Sequence, residues 1–177
     1  RAIERVAAAE HLELVGLHMH IGSQALDVAP FLAAIEALAP LGDFPVYNLG
    51  GGLGVAYTAA DDPPSIESYV DAKVAAAREF LGEGKRLLIE TGRSLVANAC
   101  VTLYTVVSVK RNVSTYVAVD GGMSDNLRPM LYGARYEAQV AHRFGGGTPC
   151  HLAGKHCESA DIIVRDAELA DPRPGDI

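Results

Sequence analysis

Cysteine and positive charge are scarce in this sequence, and long apolar runs are missing. The chain has three cysteines, an odd number that does not suit a disulfide framework, so we expect a reducing, cytoplasmic setting. With 15 basic and 22 acidic residues it carries a net charge of −7 and has no basic tract, which makes nucleic acid and anionic membranes poor candidate partners. No apolar run could span a bilayer, and no secretory leader is recognisable. We therefore expect a soluble globular protein.

The two ends of the sequence both interrupt a structural pattern. The opening RAIERVAAAEH is typical of the end of a helix, and the closing ADPRPGDI is a turn that normally leads into another strand. The 177 residues suffice for one domain or for pieces of two, and the 49% hydrophobic content can build a core. These features indicate a fragment of a longer chain.

The first half of the sequence alternates between strand-like and helical segments. The strand-like segments are LELVGLHMHIG, FPVYNLGGGLG and KRLLIETGR. Between them, VAPFLAAIEALAPLG and SIESYVDAKVAAAREFLGEG have helical spacing, with Ser65 as a candidate N-cap and Gly82 or Gly84 as a candidate C-cap. This order predicts βαβ units and a parallel sheet.

The pattern changes near residues 95–99. The segments CVTLYTVVSVKRN, STYVAVDGG, YEAQVAH and CHLAGKHC are β-rich, are separated by turns and include no convincing amphipathic helix. They predict an antiparallel β domain. We therefore expect an α/β domain over residues 1–96 and a β domain over residues 97–177.

Each of the three predicted parallel strands ends in glycine or polar residues, in HIGSQ, NLGGGLG and ETGRS. Ligand sites of parallel α/β folds form at the carboxyl ends of strands. Consecutive glycines allow backbone N–H groups to approach an anion, usually phosphate, although a tight turn explains them equally well. Ser23 could add a hydroxyl to such a site, whereas His20 alone is more often structural. The strand ends together predict a ligand site.

Two arginines in the sequence could contact anions. Glu90 and Arg93 follow the third strand, where they could form a surface ion pair or could bind a nitrogen base and an anion. Arg128 and Tyr132 lie in the turn-rich DGGMSDNLRPMLYGARYE. Arg128 could bind a carboxylate through two parallel hydrogen bonds, or it could be an exposed loop arginine.

The segment CHLAGKHCESADII, residues 150–163, raises the choice between a metal site, a redox pair and a catalytic cysteine. Its two Cys-His pairs have a C-x6-C spacing that fits none of the common zinc patterns, so we expect no metal. A disulfide is equally unexpected in a reducing compartment. Cys157 beside Glu158 suits proton transfer or substrate contact, whereas Cys150 suits a small buried apolar position.

Five segments in a fixed order carry a resemblance: GLHMHIGSQ, NLGGGLG, ETGR, DGGMSDNLRPMLYGA and GKHCESADI. They resemble the diaminopimelate decarboxylases, pyridoxal-phosphate enzymes of the alanine-racemase-like fold. Single segments are shared with the ornithine and arginine decarboxylases. Gln24 and Glu158 are more similar to the diaminopimelate branch, since ornithine decarboxylases typically have an aspartate after the cysteine. The resemblance implies a pyridoxal-phosphate-binding (β/α)8 TIM barrel, of which the three strands are the last, followed by a β domain, both incomplete.

The resemblance also implies roles around a pyridoxal 5'-phosphate cofactor. His20 would stack on the cofactor ring, and Glu90 would pair with the pyridine nitrogen and keep it protonated. The phosphate would be bound by a further set of residues, namely Ser23, Gly50, Gly51, Gly52 and Arg93.

The implied reaction converts meso-2,6-diaminopimelate to L-lysine and CO2 in lysine biosynthesis. Arg93, Arg128 and Tyr132 would bind substrate carboxylates. Cys157 would supply the proton that replaces CO2, and Glu158 would contact the distal amino group. In this family the cysteine segment enters the site of the neighbouring subunit, so the resemblance implies a homodimer.

The sequence departs from the family pattern in three places. The Schiff-base lysine motif of the first barrel strand is missing, as is the tyrosine-bearing segment that normally follows RPGD. Thr91 stands where many relatives have proline, a change that we expect to be tolerated. These residues alone are therefore not expected to catalyse. A sister decarboxylase of another basic amino acid and a non-catalytic homologue remain the alternatives.

Overall fold

The computed structural model describes all residues from 1 to 177, and the chain divides into two compact units. Unit 1 comprises Arg1–Ala56 and Ala60–Cys100, and unit 2 comprises Tyr57–Ala59 and Val101–Ile177. None of the helices combines the length and the apolar character needed to cross a membrane. The assignment of residues 1–96 and 97–177 to two domains of a larger enzyme stays a prediction.

Unit 1 contains a three-stranded parallel sheet. Strands β1, β2 and β3 pair in that order, with Gly16 opposite Val46 and Val46 opposite Arg86. This confirms the predicted βαβ arrangement and parallel sheet. The sheet is open, with β1 and β3 at its edges. The elements of unit 1 are α1 (Ala2–Ala7), β1 (Gly16–His18), α2 (Ala29–Glu36), β2 (Val46–Asn48), α3 (Ile66–Leu81), β3 (Arg86–Leu88) and α4 (Arg93–Val96).

Helix α3 has the caps that the sequence predicts. The Ser65 hydroxyl accepts a hydrogen bond from the Ser68 N–H at 3.0 Å, and Gly82 ends the helix with φ at +90°, a value that favours glycine. The buried residues of α3 recur at helical spacing and pack α3 against α2 and the sheet. These residues are Tyr69, Lys73, Ala76, Ala77 and Leu81.

Unit 2 contains a four-stranded sheet in the order β4-β5-β6-β7. Its core is formed by residues from all four strands, among them Val106, Val117, Leu152 and Val164. The elements are β4 (Val106–Arg111), β5 (Thr115–Val119), α5 (Arg128–Tyr132), β6 (Pro149–Ala153) and β7 (Ile162–Glu168).

The prediction of a purely antiparallel sheet is wrong for unit 2. Strands β4 and β5 pair antiparallel, as do β6 and β7, but β5 and β6 are parallel. The parallel pair is possible because the chain between β5 and β6, residues 120–148, is long enough for a crossover and includes α5. The predicted β segment YEAQVAH forms no strand, and only Val140 makes an isolated bridge, to Arg143.

Candidate functional site

The candidate functional residues of unit 1 lie at one edge of its sheet. His18 ends β1 and His20 follows it, Asn48 ends β2 before the three glycines, and Glu90 follows β3. Since the three strands are parallel, their carboxyl ends share that edge. We call these residues the strand-end cluster: His18, His20, Ser23, Asn48, Gly50, Gly51, Gly52, Glu90 and Arg93.

The three glycines are required because neighbouring strand ends pass within backbone contact. A Cβ atom on Gly51 would lie 1.9 Å from the carbonyl oxygen of Glu90, and one on Gly50 would lie 2.1 Å from that of Met19. Gly50 and Gly52 also have φ values of +62° and +116°, which L side chains rarely adopt. A ligand that touches these glycines therefore meets main chain rather than side chains.

Hydrogen bonds connect the glycines to the polar side chains of the cluster. The Gly50 N–H donates to the Asn48 Oδ1 at 3.0 Å, and the Asn48 Nδ2 donates to the Glu90 Oε1 at 2.7 Å. The Gly51 N–H donates to the His20 Nδ1 at 3.3 Å, which makes Nδ1 an acceptor and puts the proton of a neutral ring on Nε2. The Glu90 side chain is about half exposed and its Oε1 lies 3.6 Å from the His18 Nε2. Glu90 is thus both fixed in position and accessible.

Arg93 and Ser23 lie together at the same strand ends. The Arg93 Nη2 donates to the Ser23 Oγ at 3.4 Å, across 70 residues of sequence. Arg93 is the first residue of α4 and Gly92 is its N-cap. A guanidinium and a hydroxyl together form a donor pair suited to an oxyanion.

Lys73 is a buried residue that the sequence interpretation placed only in a helix. Its ammonium is fully buried and donates to the carbonyl oxygens of Leu49 (2.5 Å) and Gly50 (3.3 Å) and to the Tyr69 hydroxyl (2.8 Å). Burial lowers the pKa of Lys73 from 10.5 to about 8, and the negative charge of Glu90 partly opposes this shift. The sequence did contain a sign of this burial, since Lys73 follows Tyr69 by four residues and so lies on the same apolar face of α3.

Asp161 is the second buried polar residue that the sequence interpretation missed. Its carboxylate is 2% exposed and accepts hydrogen bonds from the N–H groups of Met123 (2.7 Å) and His156 (2.9 Å). A Cβ atom on Gly154 would lie 2.2 Å from the Asp161 Oδ2. The glycine in GKHCESADI therefore leaves the space that this carboxylate occupies.

Further hydrogen bonds connect the same two loops of unit 2. The Lys155 N–H donates to the Gly121 carbonyl at 2.8 Å. The His156 Nε2 lies 2.8 Å from the Ser124 Oγ. The loop that carries Cys157 is therefore fixed against the loop that leads into α5.

The two cysteines of the segment CHLAGKHCESADII lie in opposite environments. Cys150 is 2% exposed within the sheet core, its thiol donates to the Ala167 carbonyl at 3.2 Å, and burial raises its pKa. This confirms the prediction that Cys150 occupies a small buried position. Cys157 is exposed, and the neighbouring Glu158 Oε1 accepts from the Ala160 N–H at 3.3 Å. Cys157 is therefore the accessible thiol of the segment.

Arg128 and Tyr132 are the first and last residues of α5. The Arg128 guanidinium lies 5.5 Å from the centre of the Tyr132 ring, and the Tyr132 side chain is exposed. The Arg128 Nε is buried and has no hydrogen-bond partner. Arg128 is therefore not a fully hydrated loop arginine.

The comparisons with known proteins agree on one family. Residues 21–177 match the model of the family described as pyridoxal-dependent decarboxylase, C-terminal sheet domain. The diaminopimelate decarboxylase of Bacillus subtilis is 43% identical over 194 residues, which cover 100% of this chain and 44% of the relative. That of Mycobacterium tuberculosis is 43% identical over 202 residues, covering 99% and 45%. The chain thus spans less than half the length of these relatives.

The structural comparison gives the same result. The diaminopimelate decarboxylase of Helicobacter pylori complexed with L-lysine has a TM-score of 0.83 at 34% identity, over 98% of this chain and 44% of that one. The M. jannaschii enzyme in complex with L-lysine also has a TM-score of 0.83, at 33% identity, over 99% and 43%.

Proposed function

The chain belongs to the pyridoxal-dependent decarboxylase family, and from this premise we propose that it is part of a diaminopimelate decarboxylase. The reaction would release one carboxyl group of meso-2,6-diaminopimelate as CO2 and leave L-lysine. The observation that carries this proposal is the Glu90 carboxylate, oriented by Asn48 beside glycines at the strand ends. The 43% identity to diaminopimelate decarboxylases over the whole chain supports the choice of substrate.

The strand-end cluster fits pyridoxal 5'-phosphate. Ser23 and the Arg93 guanidinium suit the phosphate, since hydroxyl and guanidinium groups are its usual donors, and Gly50, Gly51 and Gly52 place no side chain in its way. Glu90 is an accessible carboxylate that can accept from a protonated pyridine nitrogen. His20 has its ring orientation fixed by Gly51 and can stack on the cofactor ring. When bound, the cofactor would accept the electron pair left behind by CO2.

The proposed role of Glu90 is electrostatic stabilisation. Its charge favours a proton on the pyridine nitrogen, and Asn48 prevents the carboxylate from rotating away. His20 would limit the movement of the cofactor ring and would cover one of its faces.

The residues of unit 2 would recognise the substrate and deliver a proton. Arg128 has a planar guanidinium, which suits the retained carboxylate. Tyr132 would add a hydroxyl, and Arg93 would contribute from the strand-end cluster. Cys157 would donate the proton that replaces CO2, and Glu158 would bind the distal amino group. The exposure of both Cys157 and Glu158 supports these roles.

We place the enzyme in the cytoplasm as a homodimer, with the Cys157 segment of each chain serving the active site of its partner. The three parallel strands would be the last three of a (β/α)8 barrel, with the β domain following. The high structural similarity to diaminopimelate decarboxylases along the whole chain supports this assignment.

The direct test is a substrate panel on the full-length protein that carries these residues. With pyridoxal phosphate added, CO2 release would be measured for meso-2,6-diaminopimelate, L-ornithine and L-arginine. We expect kcat/KM for diaminopimelate to exceed the others by about a thousandfold, since neither ornithine nor arginine has a distal carbon that carries both an amino and a carboxylate group, and the polar groups that bind this end would lack partners. A preference for ornithine or arginine would identify a sister decarboxylase. Binding of the cofactor without turnover of any substrate would identify a non-catalytic homologue.

A further inference from the structure

We propose that Lys73 is a positioning residue for the strand-end cluster, acting from inside unit 1. Its ammonium fixes two peptide groups at the end of β2, and these orient His20 and Glu90. The assignment of a cofactor to this cluster rests on the proposed function. The positioning itself is a property of the protein without cofactor.

The ammonium lies among main-chain oxygens and aromatic rings. Its three hydrogen bonds go to the carbonyl oxygens of Leu49 and Gly50 and to the Tyr69 hydroxyl. The ammonium also lies 4.6 Å from the Tyr69 ring centre and 5.0 Å from that of Phe31. A buried cation met only by dipoles and ring faces is costly to desolvate. Packing alone therefore does not explain why a lysine occupies this position.

The two carbonyl contacts determine where the opposite ends of the same peptide groups point. In a trans peptide the C=O and N–H groups point in opposite directions, and the chain has no cis peptide bonds. When Lys73 binds the Leu49 oxygen, the Gly50 N–H is directed away from Lys73, towards Asn48. When it binds the Gly50 oxygen, the Gly51 N–H is directed towards His20.

These hydrogen bonds lead to His20 and Glu90, the two side chains that are proposed to contact the cofactor ring. Asn48 donates to Glu90, so the peptide that Lys73 fixes also fixes the carboxylate. Glycine lacks the Cβ that limits backbone rotation elsewhere, so these peptides need an external anchor. Lys73 supplies that anchor for the Leu49–Gly50 peptide, and it shares the Gly50 carbonyl with the Glu90 N–H, which donates to that oxygen at 3.0 Å.

The test uses Lys73→Met in the full-length protein, because methionine is similar in length and lacks charge and donors. In the cofactor-free protein, hydrogen–deuterium exchange would be measured by mass spectrometry on peptides covering residues 46–55. We expect exchange at Gly50 and Gly51 to rise about tenfold as their hydrogen bonds open. The dissociation constant for pyridoxal phosphate should rise by about tenfold to a hundredfold, the range that loss of a supporting contact costs.

Arg78→Met is the matched control, since it removes a charge from the exposed face of the same helix. The exchange rates and the cofactor affinity of this variant should stay within about twofold of those of the wild-type protein. A Lys73→Met protein whose cofactor affinity stays within that limit overturns the proposal, whatever its exchange rate.

A second variant covers the case in which Lys73→Met does not fold. Tyr69→Phe removes one of the three hydrogen bonds of Lys73 and keeps the ring packing. We expect a dissociation constant for pyridoxal phosphate about threefold higher, and an unchanged one overturns the proposal. If the wild-type protein binds no pyridoxal phosphate, the proposed function fails, and exchange at Gly50 and Gly51 alone decides the positioning role.

Discussion

Asp161 and His156 are joined by a hydrogen bond from the His156 N–H to the Asp161 Oδ2 at 2.9 Å, one residue before Cys157. The other carboxylate oxygen accepts from the Met123 N–H at 2.7 Å. One buried carboxylate thus fixes two loops separated by more than 30 residues of sequence. These loops carry or flank Cys157 and Arg128, so their relative position bears directly on the proposed chemistry.

Asp161→Asn should destabilise the protein by about 2 kcal/mol. The amide can accept only through one oxygen, and its NH2 group would face a backbone donor in a site closed to water. The free energy of unfolding, from urea titration of the full-length protein, measures this cost. Asp166→Asn is the control, since Asp166 is an exposed residue of β7 and its change should stay within about 0.5 kcal/mol. Equal effects of the two changes would contradict the role of Asp161.

Glu90→Ala should retain pyridoxal phosphate but lose most turnover, by about a hundredfold or more in kcat. Ser23 and Arg93 remain to bind the phosphate, whereas the pyridine nitrogen loses its anionic partner. Absorbance titration with the cofactor and steady-state kinetics separate the two effects. Glu90→Gln keeps the acceptor for Asn48 without the charge, so it should be nearly as slow. Near-normal rates in both variants would contradict the pairing of Glu90 with the pyridine nitrogen.

Cys157→Ala and Cys150→Ala should have opposite effects. Cys157 is exposed, so its loss should leave stability unchanged and lower kcat by about a hundredfold with little change in KM. Cys150 is buried, so its loss should cost about 1 kcal/mol of stability and leave kcat unchanged. Kinetics and urea unfolding of both variants provide the measurement. If kcat falls and KM rises to the same degree in Cys157→Ala, Cys157 has a structural role instead.

The unfolding free energy should depend on pH through Lys73. Its pKa is about 8 in the folded protein and 10.5 in an unfolded chain, so between these values the unfolded state binds more protons and stability rises with pH. From about pH 8 to pH 9.5, the wild-type protein should gain about 1 to 2 kcal/mol relative to Lys73→Met. Urea titrations of both proteins across this range give the difference directly. A constant difference would mean that Lys73 titrates at its ordinary pKa.

The N-cap of α3 gives a local test of the fold. Ser65→Ala removes the acceptor of the Ser68 N–H and should cost about 1 kcal/mol. Glu79→Ala, at an exposed position of the same helix, should change stability by less than about 0.5 kcal/mol. Urea unfolding compares the two, and equal changes would mean that the cap contributes nothing.

The sequence by itself predicted the features that depend on neighbouring residues. Ser65 and Gly82 bound α3 because capping is a matter of a few residues. The alternation of strand and helix predicted the parallel sheet, because a short crossover helix leaves few other pairings. The segments from HIGSQ to GKHCESADI indicated the family, since each places polar or reactive side chains at a strand end or in a turn.

Tertiary structure decided the features that depend on distant residues. The parallel pairing of β5 with β6 follows from the path of residues 120–148, which no local pattern encodes. Lys73 and Asp161 look like ordinary surface charges in the sequence, and in the structure both are buried and hydrogen-bonded to main-chain groups. Lys73 donates to Leu49, 24 residues away, and Asp161 accepts from Met123, 38 residues away. A buried charge is stable only where folding assembles its hydrogen-bond partners around it, and that assembly exists only in the folded chain.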